Sequence, residues 1–359
     1  MSVAFSPLPT RADVRAAIPD RCFEISTPRS LGHLVLSLLL TAIPVALAWA
    51  FLPLTWVWAP VWVLYALVTG TAAIGLWVLA HECGHGAFSR HKALQDTVGY
   101  ILHTSLLVPY FSWQRSHAVH HAKTNHLTEG ETHVPRPLTG RPGLRSRIGR
   151  SRYAVVSLFK MLLLGWPAYL FFGATGGPER GFTNHFFPHG RFSSDLFPAR
   201  WHRRVWFSAA GVIAMHGLLI CWAVAAGSIA PVLAFYVGPL LVANAWLVGY
   251  TWLQHTDLDI PHYSDEDWTW LKGAFQTVDR PYGAVIDFLH HGIGSTHVAH
   301  HIDHRIPHYR AREATDAIAA AFPDWYRHDP TPVHRALWRV AGDCVGVVEL
   351  PDGWYYTGD

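Results

Sequence analysis

Residues 57–85 read VWAPVWVLYALVTGTAAIGLWVLAHECGH, an apolar run from Val57 to Ala80 without one charged side chain, followed directly by His81-Glu82-Cys83-Gly84-His85. About 20 apolar residues suffice for a helix to cross the hydrocarbon of a bilayer. The run therefore reads as a membrane span that carries a histidine pair out at its end. If the helix continues past Ala80, positions i and i+4 share one face, and the imidazoles of His81 and His85 can reach a common ion.

Three further runs have the same length and character: Leu31–Trp56, Val205–Gly227 and Ser228–Trp252. The connections near Pro53 and Pro231 are short, so the four runs pair into two helical hairpins. Two shorter stretches, Val98–Tyr110 and Val155–Phe172, read as interfacial or re-entrant, the second being just long enough to span. The basic residues test this layout. Of the 28 Lys and Arg, 4 precede Leu31, 16 lie between His81 and Arg204, and 8 follow Trp252. None falls inside either hairpin. Two hairpins that dip in and return leave those three segments on one face, and the positive-inside rule makes that face cytoplasmic. The expected fold is an all-α membrane protein. Its four transmembrane helices (about 31–56, 57–80, 205–227 and 228–252) form two hairpins under a cytoplasmic helical cap. Residues 1–30 are the N-terminal segment, 31–320 the membrane domain and 321–359 a C-terminal tail, with both termini cytoplasmic.

Bulk composition agrees with a membrane setting. The 359 residues are 50% hydrophobic and only 15% charged, against about 25% charged in ordinary soluble domains. A net charge of +3 gives no footing for nucleic acid, and the 17 tryptophans suit membrane interfaces. Cys22, Cys83, Cys221 and Cys344 are scattered without CxxC spacing, so neither a zinc ribbon nor a disulfide framework is suggested. The polar first thirty residues do not read as a cleavable signal peptide.

Histidine is the outlier, with 25 in the chain. Two clusters join the one at His81: His117-Ala-Val-His120-His121 and His297-Val-Ala-His300-His301. Both repeat the i, i+3, i+4 spacing that collects three rings on one helical face. All three clusters fall in segments assigned to the same side of the membrane. Eight imidazoles exceed the four ligands that close one zinc site, so two metals fit better. Spacing alone leaves iron, zinc, copper and nickel open. The first cluster is also a literal H-E-x-x-H, which a zinc metalloprotease would use with Glu82 as general base. That reading leaves six histidines idle. A histidine-rich metal transporter is a second alternative, disfavoured because the clusters lie outside the spans. His91, His133, His216, His262 and His334 read as surface or packing residues. The pairs His185/His189 and His304/His308 are set aside because Pro188 and Pro307 interrupt a helix there.

The three clusters resemble the histidine boxes of membrane fatty acid desaturases, in particular the Δ12 (oleate) and ω3 branch. Asp96-Thr-Val-Gly99, Leu107-Val-Pro-Tyr-Phe-Ser-Trp113, Trp252-Leu-Gln-His255-Thr256, Pro261-His-Tyr263, Thr277-Val-Asp-Arg280, Ile306-Pro-His-Tyr309 and Glu313-Ala-Thr315 extend the likeness from about His81 to Ala320. Gly86 and Ala118-Val119 depart from it, standing where many relatives carry a histidine and a basic pair.

The resemblance implies a non-haem di-iron centre held by His81, His85, His117, His120, His121, His297, His300 and His301, with His255 as ninth ligand. It implies O2 as co-substrate and a fatty acyl lipid or acyl thioester as the chain that gains a cis double bond, most simply of Δ12/ω6 type. Related hydroxylation, epoxidation or acetylenic-bond formation uses the same centre. His291 is expected as a supporting or extra ligand. Glu82, Asp257 and Asp287 are expected to orient ring N–H groups, and His103 and Trp113 to line the substrate path. No dinucleotide fingerprint and no fused cytochrome b5 core is present in the sequence. Electrons are therefore expected from a separate cytochrome b5-type protein or ferredoxin, for which Arg145, Arg147, Arg150 and Arg152 offer a docking surface.

Overall fold

A computed structural model describes residues 7–140, 143–192 and 194–358. Among these the helices run α1 (Arg11–Ala17), α2 (Thr27–Phe51), α3 (Ala59–His85), α4 (Lys92–Ser105), α5 (Tyr110–Ala122), α6 (Leu144–Ile148), α7 (Arg150–Phe159) and α8 (Gly165–Phe172). They continue with α9 (His202–Ala225), α10 (Ala230–Val232), α11 (Gly238–His255), α12 (Trp270–Ala274), α13 (Ala284–Leu289), α14 (His297–Ile302), α15 (His308–Ala321) and α16 (Val333–Asp343).

The first hairpin turns at residues 52–55, where Pro53 cannot continue the helix. Its carbonyl accepts the indole N–H of Trp62 at 3.1 Å. Pro60 sits in the first turn of α3, where its missing N–H costs nothing. This helix runs unbroken through His85 and ends at Gly86, whose left-handed φ of +80° a glycine adopts without strain. The first histidine box is thus the last turn of the second membrane-length helix. Helix α3 is also the central one, its side chains from Ala72 to Cys83 being buried. Ile74, Trp77 and Val78 pack with Trp113, Trp166, Leu247, Val248 and Tyr250. Outward faces carry exposed Leu39, Ile43, Leu47, Val63, Leu64, Ile213, Leu218 and Ile220. A soluble monomer does not leave so much apolar surface open.

Among the described residues five helices, not four, are long and apolar enough to cross a membrane. Four coincide with the expected runs as Thr27–Phe51, Trp56–His85, Ala199–Ala225 and Ala230–His255. The fifth, Arg150–Phe172, joins α7 to α8 through a π-helical turn at Lys160–Leu164. Its two ends both meet the histidine-bearing part of the molecule. Arg150 makes a bidentate pair with Asp343, and Tyr169 donates to Glu131.

The chain is predominantly helical but not wholly so. Gly346–Leu350 pairs antiparallel with Gly353–Thr357, placing Val347 opposite Tyr356 and Val348 opposite Tyr355. β-Branched and aromatic residues around Pro351-Asp352-Gly353 favour a hairpin over a helix, which corrects the all-α expectation. The C-terminal segment is packed rather than loose. Val347 exchanges backbone hydrogen bonds with Arg136 and Leu138, and Trp354 with His262. Arg280 and Arg339 meet Asp257 and Asp329 in an ion cluster that fastens α16 beneath α11.

Candidate metal centre

Helices α3, α5, α11 and α14 end or begin at one place. Helix α5 carries the second box in its last two turns. Its position is set by Trp113, which stacks on His117 at 4.6 Å and meets α3 at Gly84. A β-carbon on Gly84 would stand 2.7 Å from the Trp113 ring. The glycine of the first box is therefore a packing requirement. Helix α14 holds the third box and is capped by Asp279, whose Oδ1 accepts the Val298 N–H at 3.0 Å. Burial pushes the Asp279 carboxyl up to about 6.

Eight of the nine expected histidines fall into two adjoining groups, and the other, His297, lies beside the second. In the first, His81, His85, His117, His121 and His300 each offer a nitrogen, all within 4.8 Å of one another. Nε2 atoms are 2.9 Å apart for His81 and His117, 3.2 Å for His81 and His85, and 3.1 Å for His121 with both His117 and His300. His120, His255 and His301 make the second group. There Nε2 of His255 lies 3.1 Å from those of both His120 and His297. His121 and His301 stack at 4.1 Å, which sets the two groups side by side.

The donor set fits metal ions. Burial, and after it the neighbouring rings, hold His117, His121, His297, His300 and His301 well below the usual imidazole range. Burial takes His120 to about 3. These rings are therefore neutral at neutral pH, the form in which imidazole binds a metal. Converging lone pairs that share few protons would be costly to bury without a cation among them. Nδ1 of His81, His121, His255 and His297 is buried without a hydrogen-bond partner, as is Nε2 of His301. Stacking does much of the orienting, with Trp77 on His81 and Trp113 on His117, while Thr124 Oγ1 lies 3.0 Å from His301 Nδ1.

Other expected residues fall elsewhere. Asp257 faces Arg280 and Arg339 rather than a ring. Glu82 accepts the backbone N–H of His308 at 2.9 Å. His291 lies outside both groups, beside His33 and His308. His103 packs among Trp77, Tyr110 and Trp113. Trp113 does line a cavity, together with Trp77, Met161, Leu247, Val248, His120, His255 and His297. Arg145 and Arg150 hold Asp343, leaving Arg147 and Arg152 exposed.

Three further residues stand at the site: His304, set aside in the sequence reading because of Pro307, His133, read there as surface or packing, and Glu131, not considered. His304 lies with its ring 4.7 Å from His85 and 5.3 Å from His121. Buried His133 lies parallel to His255 at 6.1 Å and lines the cavity. Glu131, also at the cavity wall, is buried under Tyr169. His304 follows the third box by three residues, which was a usable signal; His133 and Glu131 had none.

Converging buried imidazoles from four helices, opening on a largely apolar cavity, define a histidine-lined candidate metal centre. The family model described as "Fatty acid desaturase" matches residues 56–331. The chain is 40% identical over 349 residues to Delta(12)-acyl-lipid-desaturase of Punica granatum, covering 96% of this chain and 88% of that one. It is equally identical over 354 residues to Delta(12)-fatty-acid desaturase of Arabidopsis thaliana, covering 96% and 90%. Oleoyl-12-hydroxylase of Ricinus communis is also 40% identical, over 94% of this chain and 86% of that one. The chain belongs to the fatty acid desaturase family.

Proposed function

We propose that the protein is a di-iron acyl desaturase that introduces a cis double bond of Δ12 type into a fatty acyl chain. The observation that carries this reading is the pair of adjoining imidazole groups opening on one apolar cavity. His81, His85, His117, His121 and His300 would hold one iron, and His120, His255, His297 and His301 the other. The bound pair supplies the oxidising power for an unactivated C–H bond, which acid–base side chains lack. The overall change is –CH2–CH2– + O2 + 2e⁻ + 2H⁺ giving –CH=CH– + 2H2O.

The chain's own residues position the substrate. Trp77, Trp113, Met161, Leu247 and Val248 grip the acyl chain, each buried methylene contributing about 0.8 kcal/mol. That grip fixes which carbon pair faces His120, His255 and His297. The reading of Δ12 type rests on the relatives, two of which act at that position by name. Hydroxylation is the second reading, favoured by the equal identity to an oleoyl-12-hydroxylase.

The electron donor is a separate cytochrome b5-type protein or ferredoxin, with exposed Arg147 and Arg152 on the side it would approach. Four spans in two hairpins put the centre and both termini in the cytoplasm, and Arg150–Phe172 lies against the cap without crossing. Contact of both its ends with the histidine-bearing side supports that arrangement. Metal analysis of the purified protein tests the centre. About two irons per chain are expected, whereas zinc without iron would contradict it.

A further inference from the structure

His33, His291 and His308 form a third group of imidazoles, separate from the box histidines, each offering a nitrogen within 4.8 Å of the others. They come from distant parts of the chain: the second turn of α2, the turn after α13, and the first residue of α15. Ring centroids are 4.6 Å apart for His33 with His308 and for His291 with His308, and 5.5 Å for His33 with His291. Within the box groups, His81 and His85 are 4.5 Å apart and His255 and His297 5.1 Å. The third group is nearly as tight.

Its members are held in place at a cost. His291 takes a left-handed φ of +55°, strained for a residue with a β-carbon. The turn that carries it passes so close to α3 that a β-carbon on Gly75 would stand 2.6 Å from the Leu289 carbonyl. Ser37 Oγ lies 3.0 Å from His291 Nε2. The His308 side chain is only 7% exposed, yet both its ring nitrogens lack a hydrogen-bond partner. Its Nδ1 is 3.5 Å from Glu82 Oε2, beyond hydrogen-bond length but on the side from which a carboxylate steadies a metal-bound imidazole. A strained backbone position and a buried imidazole with two idle nitrogens, a costly state, meet at the place where these three imidazoles converge.

We propose that His33, His291 and His308 bind one divalent ion of the imidazole-preferring kind, zinc above all, with Glu82 steadying His308. Three histidines leave the fourth position to water at the half-buried His33. The ion would tie the first span to the turn before the third box and to α15, closing the cap onto the first hairpin. Arg29, stacked on Tyr309 at 4.4 Å, opposes a cation there and moderates the affinity. None of its three histidines belongs to the box groups.

The test compares full-length wild type, His33→Phe and His33→Cys, each equilibrated with zinc, freed of loosely held metal and measured by mass spectrometry. Wild type is expected to retain one metal equivalent more than His33→Phe, with His33→Cys recovering it because a thiolate also ligates. Zinc should raise the melting midpoint of wild type more than that of His33→Phe. Equal metal content in wild type and His33→Phe overturns the proposal. Failure of the box centre would show separately, as metal unchanged in His120→Ala, because the difference at His33 is read on either background.

Discussion

His300 belongs to the first imidazole group and His120 to the second, on two different helices, where His300 Nε2 meets His121 and His120 Nε2 meets His255. Substituting either by Ala removes a converging lone pair from a buried set. Iron content is expected to fall, and product to drop at least a hundred-fold, with the helical circular-dichroism spectrum retained. Normal iron in both variants would remove these residues from the site. Glu131 offers a different test. Burial pushes its carboxyl up to about 8, opposed by the Tyr169 hydroxyl. The folded protein therefore keeps a proton that the unfolded chain releases above about 4.3. Stability should fall as pH rises through that interval and level off above about 8. Glu131→Gln cannot ionise, so its melting midpoint relative to wild type should climb between pH 5.5 and pH 8. Parallel curves for the two proteins would refute the buried-acid assignment. Glu131 shows where sequence reading stops at this scale. Residue type and spacing identify histidines on one face, whereas burial of a lone carboxylate depends on α8 folding over it.

Elements carry the site through close helix contacts. Gly84→Ala would drive a methyl into Trp113, and Trp113 stacks on His117. The second box should shift against the first, and displacement of reacting groups by about 1 Å can cost about a hundred-fold in rate. Activity per bound iron is the quantity to measure, since a full set of ligands remains. Unchanged turnover would show that Trp113 does not set the spacing. Most elements were legible from hydropathy, because an apolar run of span length can only be a helix in lipid. The C-terminal hairpin was not. Its five-residue strands are too short for periodicity, and their partners at Arg136, Leu138 and His262 are distant in sequence. The proline rule held for the helix break it states, and is silent on where the separated rings go. Pro307 does separate His304 from His308 as expected, but α15 starts just after it and turns His308 inward towards Glu82.

At the scale of the whole molecule, five candidate spans meet a charge pattern that favours four. Single-cysteine reporters in a cysteine-depleted background decide between them. Thr55→Cys and Ser228→Cys should label only from outside the cell, and Arg147→Cys and Glu179→Cys only from the cytoplasm. External labelling at Glu179 would make Arg150–Phe172 a fifth span and separate its two ends across the membrane. Length and composition cannot resolve this, because the run qualifies on both counts; what argues for a non-crossing helix is the tertiary contact at each end. The central claim is that the converged histidines hold a metal centre that, with O2, would oxidise an acyl chain. Its most direct test is the lipid profile of a host that makes oleate but no dienoic acid, expressing wild type or His120→Ala. A cis dienoic acid with wild type and none with the variant is the expected result. No new unsaturation with iron-loaded wild type, or equal product from the variant, would contradict it.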